Sequence, residues 1–126
     1  RHGVIPVIVS PLSKFDRKTL KPTSVMDAYG KNAGKAAELT KCAFIDLWSM
    51  SKDIINAVGE DGLKVYSDGT HTADYGGYLF SLCIAKGIKE NKLELAKFLS
   101  DDLIDIDTKN PTPRLSDFNV PIEKRR

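Results

Sequence analysis

The chain has 126 residues, which limits it to one domain at most. Its hydrophobic content of 41% and charged content of 29% are ordinary for a water-soluble globular protein. The formal net charge is only +2, acids and bases are interspersed, and no apolar run approaches membrane-spanning length, so the sequence favours neither nucleic-acid nor membrane binding.

The chain is expected to begin inside a fold. Arg1-His2-Gly3 reads as the end of a helix, with Gly3 suited to the left-handed position just past it. Residues 4–9 form a continuous β-branched run that predicts a buried parallel strand, although Pro6 is unusual in a central strand. Ser10 ends this strand, and a polar loop is expected over residues 12–22.

The first predicted helix begins at Ser24, where Ser24 and Asp27 have the spacing of a capping box. Small and apolar residues recur at helical spacing on one face. That face comprises Met26, Tyr29, Ala33, Ala36, Ala37 and Thr40. A second buried strand is expected over residues 43–47, and a second helix over residues 48–58 that Gly59 closes.

A loop over residues 60–73 leads to a third helix over residues 74–89, which has a clean apolar stripe. The stripe comprises Gly76, Leu79, Phe80, Cys83, Ile84, Gly87 and Ile88. A short helix is expected near residues 93–99, and residues 100–126 are acidic and then proline-rich, which predicts an irregular surface arm. The spacing of the acids at 101, 102, 105 and 107 favours a solvated face over a calcium site.

The two cysteines, Cys42 and Cys83, lie in apolar stretches, which favours buried free thiols over a disulfide. There is no CxxC pair and no Cys/His cluster, so neither a zinc site nor another metal or cofactor is expected.

The alternation of strands with helices predicts an α/β fold with parallel strands. Only two strands are evident, and two buried parallel strands do not make a sheet that is stable alone. Two or three more strands are therefore expected from elsewhere, either from a separate segment or from self-association that covers the strand edges.

Asp68 and His71 are the most informative polar pair. An Asp three residues before a His can fold back so that its carboxylate accepts the Nδ1–H, which leaves Nε2 free as a general base. Gly69 would permit the tight turn between them. Spacing alone favours a structural alternative, in which Asp68 caps the turn and His71 packs at the start of the helix.

The order of several blocks resembles the C-terminal half of SGNH (GDSL-type) hydrolases, and most closely the rhamnogalacturonan acetylesterase branch. The blocks are Val7-Ile8-Val9-Ser10-Pro11, Phe44-Ile45-Asp46-Leu47-Trp48-Ser49, Val58-Gly59, Asp68-Gly69-Thr70-His71-Thr72 and Tyr75-Gly76-Gly77. The resemblance implies a partial flavodoxin-like three-layer fold that lacks its N-terminal half. Residues 1–99 would be the C-terminal half of that domain, and residues 100–126 an added arm.

The same resemblance implies an esterase that removes acetyl groups from a polysaccharide or another small ester. His71 would be the general base and Asp68 its orienting partner, with Thr70 and Ser10 at the substrate site. Trp48 would either form a wall of a sugar site or simply cover the edge of the sheet. Family members are commonly secreted or periplasmic.

The sequence departs from the family in one important respect. It contains neither the Gly-Asp-Ser block of the nucleophile nor the Gly-x-Asn-Asp block of the oxyanion hole. Ser10 and Ser67 are poor substitutes, because neither lies in a Gly-x-Ser-x-Gly elbow. Two alternatives therefore stand beside an esterase completed by an N-terminal half: a structural or assembly half without turnover, and a non-catalytic carbohydrate-binding remnant.

Overall fold

A computed structural model describes residues 3–119. The predicted helix end at Arg1-His2 lies outside the described residues, and so do Pro121 and the rest of the predicted arm after Asn119.

The described residues form a mixed α/β structure, as predicted. Its strands are β1 (Val7–Val9), β2 (Phe15–Asp16), β3 (Lys21–Pro22) and β4 (Ala43–Ile45). Its α-helices are α1 (Asp27–Thr40), α2 (Leu47–Val58), α3 (Gly62–Val65) and α4 (Asp74–Glu90). Short 3₁₀ helices occupy Gly59–Asp61, Glu94–Phe98 and Leu115–Asp117.

A two-stranded parallel sheet lies between helices. β1 pairs with β4 in parallel, with Ile8 opposite Phe44, and α1 lies in the connection between the two strands. The Phe44 ring packs on Gly34 of α1, whereas Ile45 packs on Gly87 of α4. Because successive strand residues point to opposite faces, α1 and α4 cover opposite faces of the sheet. The predicted parallel strands are thus confirmed.

The two outer edges of this sheet differ. The N–H of Ser10 donates to the carbonyl of Ile45 at 3.0 Å, and in this parallel register Val7 and Val9 direct their backbone groups away from β4. On the outer edge of β4, the carbonyl of Phe44 accepts from Asn91 Nδ2 at 2.9 Å. A side chain from the end of α4 therefore caps the β4 edge, while the β1 edge faces outward.

Both parallel strands are shorter than predicted. Val4 and Ile5 precede β1 and are largely exposed, and Pro6 lies just before the first strand pair, where its missing N–H disrupts no ladder bond. β4 ends at Ile45 because the Asp46 side chain accepts from the Ser49 N–H at 3.1 Å and so begins α2.

The predicted polar loop over residues 12–22 was wrong, because it contains the β2–β3 hairpin. Phe15 pairs with Pro22, and Asp16 with Lys21. The Asp16 carboxylate stabilises the turn by accepting from the N–H of Lys18 at 2.8 Å. Likewise, the predicted loop over residues 60–73 contains α3.

The predicted capping box of α1 was also wrong. The helix begins at Asp27 and has no side-chain cap. The Asp27 carboxylate instead accepts from Trp48 Nε1 and from Lys52 Nζ, both at 3.2 Å, so it joins α1 to α2. The buried face of α1 is set by Gly30 and Ala37, whereas Tyr29 is exposed.

The main core lies where α4 meets α2, α3 and the hairpin. Most of the predicted stripe on α4 is buried, and the two cysteines are free thiols as predicted, although Cys42 is only half-buried. The predicted short helix near residues 93–99 is a 3₁₀ helix. The arm is irregular over its described part, and the buried side chain of Ile106 fixes it to the core.

We expect Gly76→Ala to destabilise the protein strongly. A Cβ at this position of α4 would overlap the backbone carbonyl of Val65, so α3 and α4 would have to move apart. The expected cost is at least about 2 kcal/mol of unfolding free energy.

Gly77→Ala is the matched control in the same helix, since a Cβ there meets no atom within 4 Å. It should raise the unfolding free energy by up to about 1 kcal/mol through helix propensity alone. Urea denaturation measures both, and equal effects of the two substitutions would contradict this packing.

Candidate active site

Tyr66 holds the segment that leads into the candidate site. Its side chain is fully buried, and its hydroxyl donates to the carbonyl of Ser13 at 2.7 Å. Its ring stacks on Phe15 with centroids 5.7 Å apart. Tyr66 and Thr72 form an isolated antiparallel bridge, which closes a short loop of residues 67–71 between α3 and α4.

The loop brings Asp68 and His71 together as the sequence spacing predicted. Asp68 Oδ2 lies 2.6 Å from His71 Nδ1. The other carboxylate oxygen accepts from the N–H of His71 at 2.8 Å and from the N–H of Thr70 at 2.9 Å. The His71 N–H, the His71 ring and the Thr70 N–H hold the pKa of the Asp68 carboxyl far below its usual range. Asp68 is therefore an anion at neutral pH.

The dyad faces solvent. The His71 side chain is 78% exposed and that of Asp68 is 54% exposed. With Nδ1 donating to the carboxylate, Nε2 carries the lone pair, and it has no hydrogen-bond partner within residues 3–119. The arrangement can accept a proton from a group that approaches the ring from outside, and Asp68 would stabilise the resulting imidazolium.

Gly69 permits the turn that makes this geometry possible. Its φ is +96°, a conformation that L side chains rarely adopt, and a Cβ would lie 2.6 Å from the carbonyl oxygen of Phe15. The N–H of Phe15 donates to the Gly69 carbonyl at 2.9 Å. The β2–β3 hairpin thus packs directly against the loop of the dyad, a contact that the sequence analysis missed.

Ser10 and Thr70 have different surroundings. Thr70 is exposed in the loop between the two members of the dyad. Ser10 is buried, and its hydroxyl donates to Asp46 at 3.2 Å and accepts from the N–H of Trp48 at 2.8 Å. Its hydroxyl is therefore engaged at the start of α2. The sequence signal for Asp46 as the N-cap of α2 is an Asp placed between an apolar strand and a helix, since Asp is among the preferred N-cap residues.

Trp48 packs between two helices. Its indole ring contacts Gly30 so closely that a Cβ on the glycine would lie 2.5 Å from the ring. The ring also has Lys52 Nζ 4.5 Å from its centroid, and its Nε1–H donates to Asp27. These contacts place the Trp48 side chain between α1 and α2.

The hydroxyls of Ser13, Ser51 and Ser67 have hydrogen-bond partners other than the His71 ring. Ser67 Oγ donates to the backbone carbonyl of His71 at 3.1 Å and not to its ring. Ser13 and Ser51 are buried, and the Ser51 hydroxyl accepts from the N–H of Ser13 at 2.9 Å. None of these hydroxyls is bonded to His71 Nε2.

Within residues 3–119, no group of three or more His, Cys, Asp or Glu side chains has the arrangement of a metal site. The acidic side chain of Asp105 pairs with Lys89 at 2.6 Å. No helix in this described part combines the length and apolar character needed to cross a bilayer.

Comparison of the chain with protein-family models, curated proteins and solved structures returned no match. The assignment to a class of protein therefore depends on the residues and the geometry of the site.

Protein stability should depend on pH through Asp68. The pKa of the Asp68 carboxyl is lower in the folded state than in the unfolded state. Below the usual carboxyl pKa, the unfolded state therefore binds more protons than the folded state. The contribution of Asp68 to the unfolding free energy is thus present at higher pH and is lost as pH falls below about 4. Urea denaturation of the wild type and of Asp68→Asn should show a gap in unfolding free energy that is largest near about pH 6 and narrows towards about pH 3. A gap that stays constant across this range would contradict the hydrogen-bonded carboxylate.

Gly69→Ala should cost more than Gly59→Ala. Both glycines have positive φ, but a Cβ on Gly59 meets nothing within 4 Å, so Gly59→Ala should lower the unfolding free energy only through backbone strain, by about 1–3 kcal/mol. Gly69→Ala adds the clash with the hairpin carbonyl, and it should accelerate hydrogen exchange of the Phe15 amide. The same exchange rate in both variants would show that the loop does not pack on the hairpin as described.

Proposed function

We propose that this chain supplies the acid–base half of an SGNH-type serine esterase that acts on acetylated carbohydrate or a similar small ester. The observation that carries the proposal is the 2.6 Å contact between Asp68 Oδ2 and His71 Nδ1, on a loop that leaves Nε2 open to solvent. Asp68 orients the ring, and His71 takes the proton of the attacking hydroxyl.

Asp68 caps the turn, as the structural alternative for this spacing predicts, but His71 does not pack at the start of the helix. A histidine that only packs at a helix start would be buried or would bond to the helix. His71 is exposed, and its ring bonds to a carboxylate that three hydrogen-bond donors hold ionised. The hydrogen-bonded imidazole–carboxylate pair is the recurring unit of serine hydrolases on unrelated folds.

We propose further that the nucleophile and the oxyanion donors come from a segment that adds to the sheet at β1. The outward backbone groups of Val7 and Val9 offer a strand edge, whereas Asn91 caps the opposite edge at β4. Beside the β1 edge is an open cavity of about 420 Å³, with Ile5 and Phe98 among its lining residues. Both side chains are more than 70% exposed, so an added strand would bury apolar surface there.

The test is hydrolysis of p-nitrophenyl acetate by the purified chain, alone and mixed with an N-terminal half of a rhamnogalacturonan acetylesterase that carries the Gly-Asp-Ser block. We expect negligible turnover by the chain alone and measurable turnover in the mixture. His71→Ala should lower the turnover of the mixture by about a thousandfold or more. His2→Ala, which removes the other histidine of the chain, is the matched control and should leave it unchanged.

Turnover of the mixture that survives His71→Ala would overturn the proposed role of the dyad. If the chain alone hydrolysed the ester in a manner that depends on His71, the nucleophile would belong to this chain and the complementation at β1 would be wrong. Binding of acetylated pectin without hydrolysis in either sample would favour a carbohydrate-binding remnant.

A further inference from the structure

We propose that Arg17, in the turn of the β2–β3 hairpin, is a positioning residue for the Asp68–His71 dyad. The inference rests on the proposed function, in which His71 is the base. Arg17 Nη1 donates to the backbone carbonyl of Ser67 at 2.5 Å. Ser67 in turn donates to the carbonyl of His71 from both its N–H, at 2.9 Å, and its hydroxyl, at 3.1 Å. Arg17 therefore reaches the dyad through Ser67.

The hairpin holds the loop at two points that flank Asp68. Arg17 binds the carbonyl of Ser67 on one side, and the N–H of Phe15 binds the carbonyl of Gly69 on the other. With the carbonyls on both sides of Asp68 fixed, the backbone that carries the Asp68 side chain has less freedom to move. Its carboxylate then stays directed at His71, although both side chains are exposed to water.

The position of Arg17 is itself defined by the hairpin turn. The Asp16 carboxylate accepts from the N–H groups of Lys18 and Thr19, and the N–H of Leu20 donates to the carbonyl of Asp16 at 2.8 Å. These bonds fix the backbone around Arg17. A guanidinium is well suited to this role, since it carries several donors in a planar fork and forms a charge-assisted bond to a carbonyl.

Lys18 provides a matched control. It is the next residue in the same turn, is also exposed and has the same charge, but its side chain makes no hydrogen bond or ion pair to the loop among the described residues. Arg17→Gln and Lys18→Gln therefore remove the same charge, and only Arg17→Gln removes the contact to Ser67. Arg17→Lys keeps the charge and removes the fork.

The experiment is ¹⁵N NMR of the imidazole nitrogens in the full chain at about pH 9, where a histidine ring is ordinarily neutral. In the wild type, the dyad should hold His71 mainly as the tautomer protonated on Nδ1. Arg17→Gln should lower the ratio of this tautomer to the Nε2 form by about threefold, and Arg17→Lys should lower it by less. Lys18→Gln should leave the ratio unchanged, and all three variants should keep the melting temperature of the wild type.

Two results separate this inference from the proposed function. A wild-type ratio that shows no preference for Nδ1 would overturn the dyad and the proposed function with it. If the wild type prefers the Nδ1 tautomer but Arg17→Gln leaves this preference intact, only the positioning role of Arg17 is overturned. The same holds if Lys18→Gln reduces the preference as much as Arg17→Gln does. A loss confined to Arg17→Gln and Arg17→Lys, and abolished in an Asp68→Asn background, would support it.

Discussion

The rest of the site depends on the contacts that the buried side chain of Tyr66 makes. Its hydroxyl binds the segment that follows β1, and its ring lies 5.7 Å from both Phe15 of the hairpin and Phe80 of α4. Burial raises the pKa of the Tyr66 phenol, so the hydroxyl remains a donor to the Ser13 carbonyl. The loop of the dyad begins at the next residue, so the buried Tyr66 side chain fixes the position of its first residue.

The dyad is local in sequence but depends on distant parts of the chain for its shape. Asp68 and His71 are only three residues apart, and the carboxylate completes its own turn by accepting two backbone N–H groups. Nevertheless, Gly69 must lie against the backbone of Phe15, and Ser67 is bound by Arg17. Because water competes for the contacts of exposed side chains, the geometry of an exposed pair of this kind depends on how firmly the backbone of its loop is held.

Ser10 and the dyad belong to different hydrogen-bond networks. Ser10 and Trp48 form one network with Asp46 at the start of α2, and this network fixes the junction between sheet and helices. Asp68 and His71 form another network on the surface. Under the proposed function, the first network supports the sheet to which a further segment adds at β1, and the second supplies the proton transfer.

The features that could be predicted from the sequence are those that short-range patterns determine. The helices α2 and α4 follow from apolar periodicity and from the Gly59 that ends α2, and a spacing of three permits the contact between Asp68 and His71. The hairpin could not be predicted, because its two-residue strands carry no alternation and are held by contacts with the loop of the dyad.

The side-chain partners that cross between elements could not be predicted either. Asp27 has the spacing of a cap but binds Trp48 and Lys52 on another helix, so a tertiary contact replaced the local one. Ser10 stands at the end of a strand, where ligand-binding residues gather, but the nearby start of α2 engages its hydroxyl. Such choices depend on how the elements pack together.

The central claim is that Asp68 makes His71 Nε2 an exposed and oriented base. It is tested most directly by the rate at which diethyl pyrocarbonate modifies His71 in the intact chain, followed by peptide mass spectrometry. We predict rapid modification at Nε2 in the wild type and a rate several-fold lower in Asp68→Asn, because the substitution removes the carboxylate that holds the proton on Nδ1 and leaves the lone pair on Nε2. Equal rates in the two proteins would contradict the account, since His71 would then be an ordinary surface histidine.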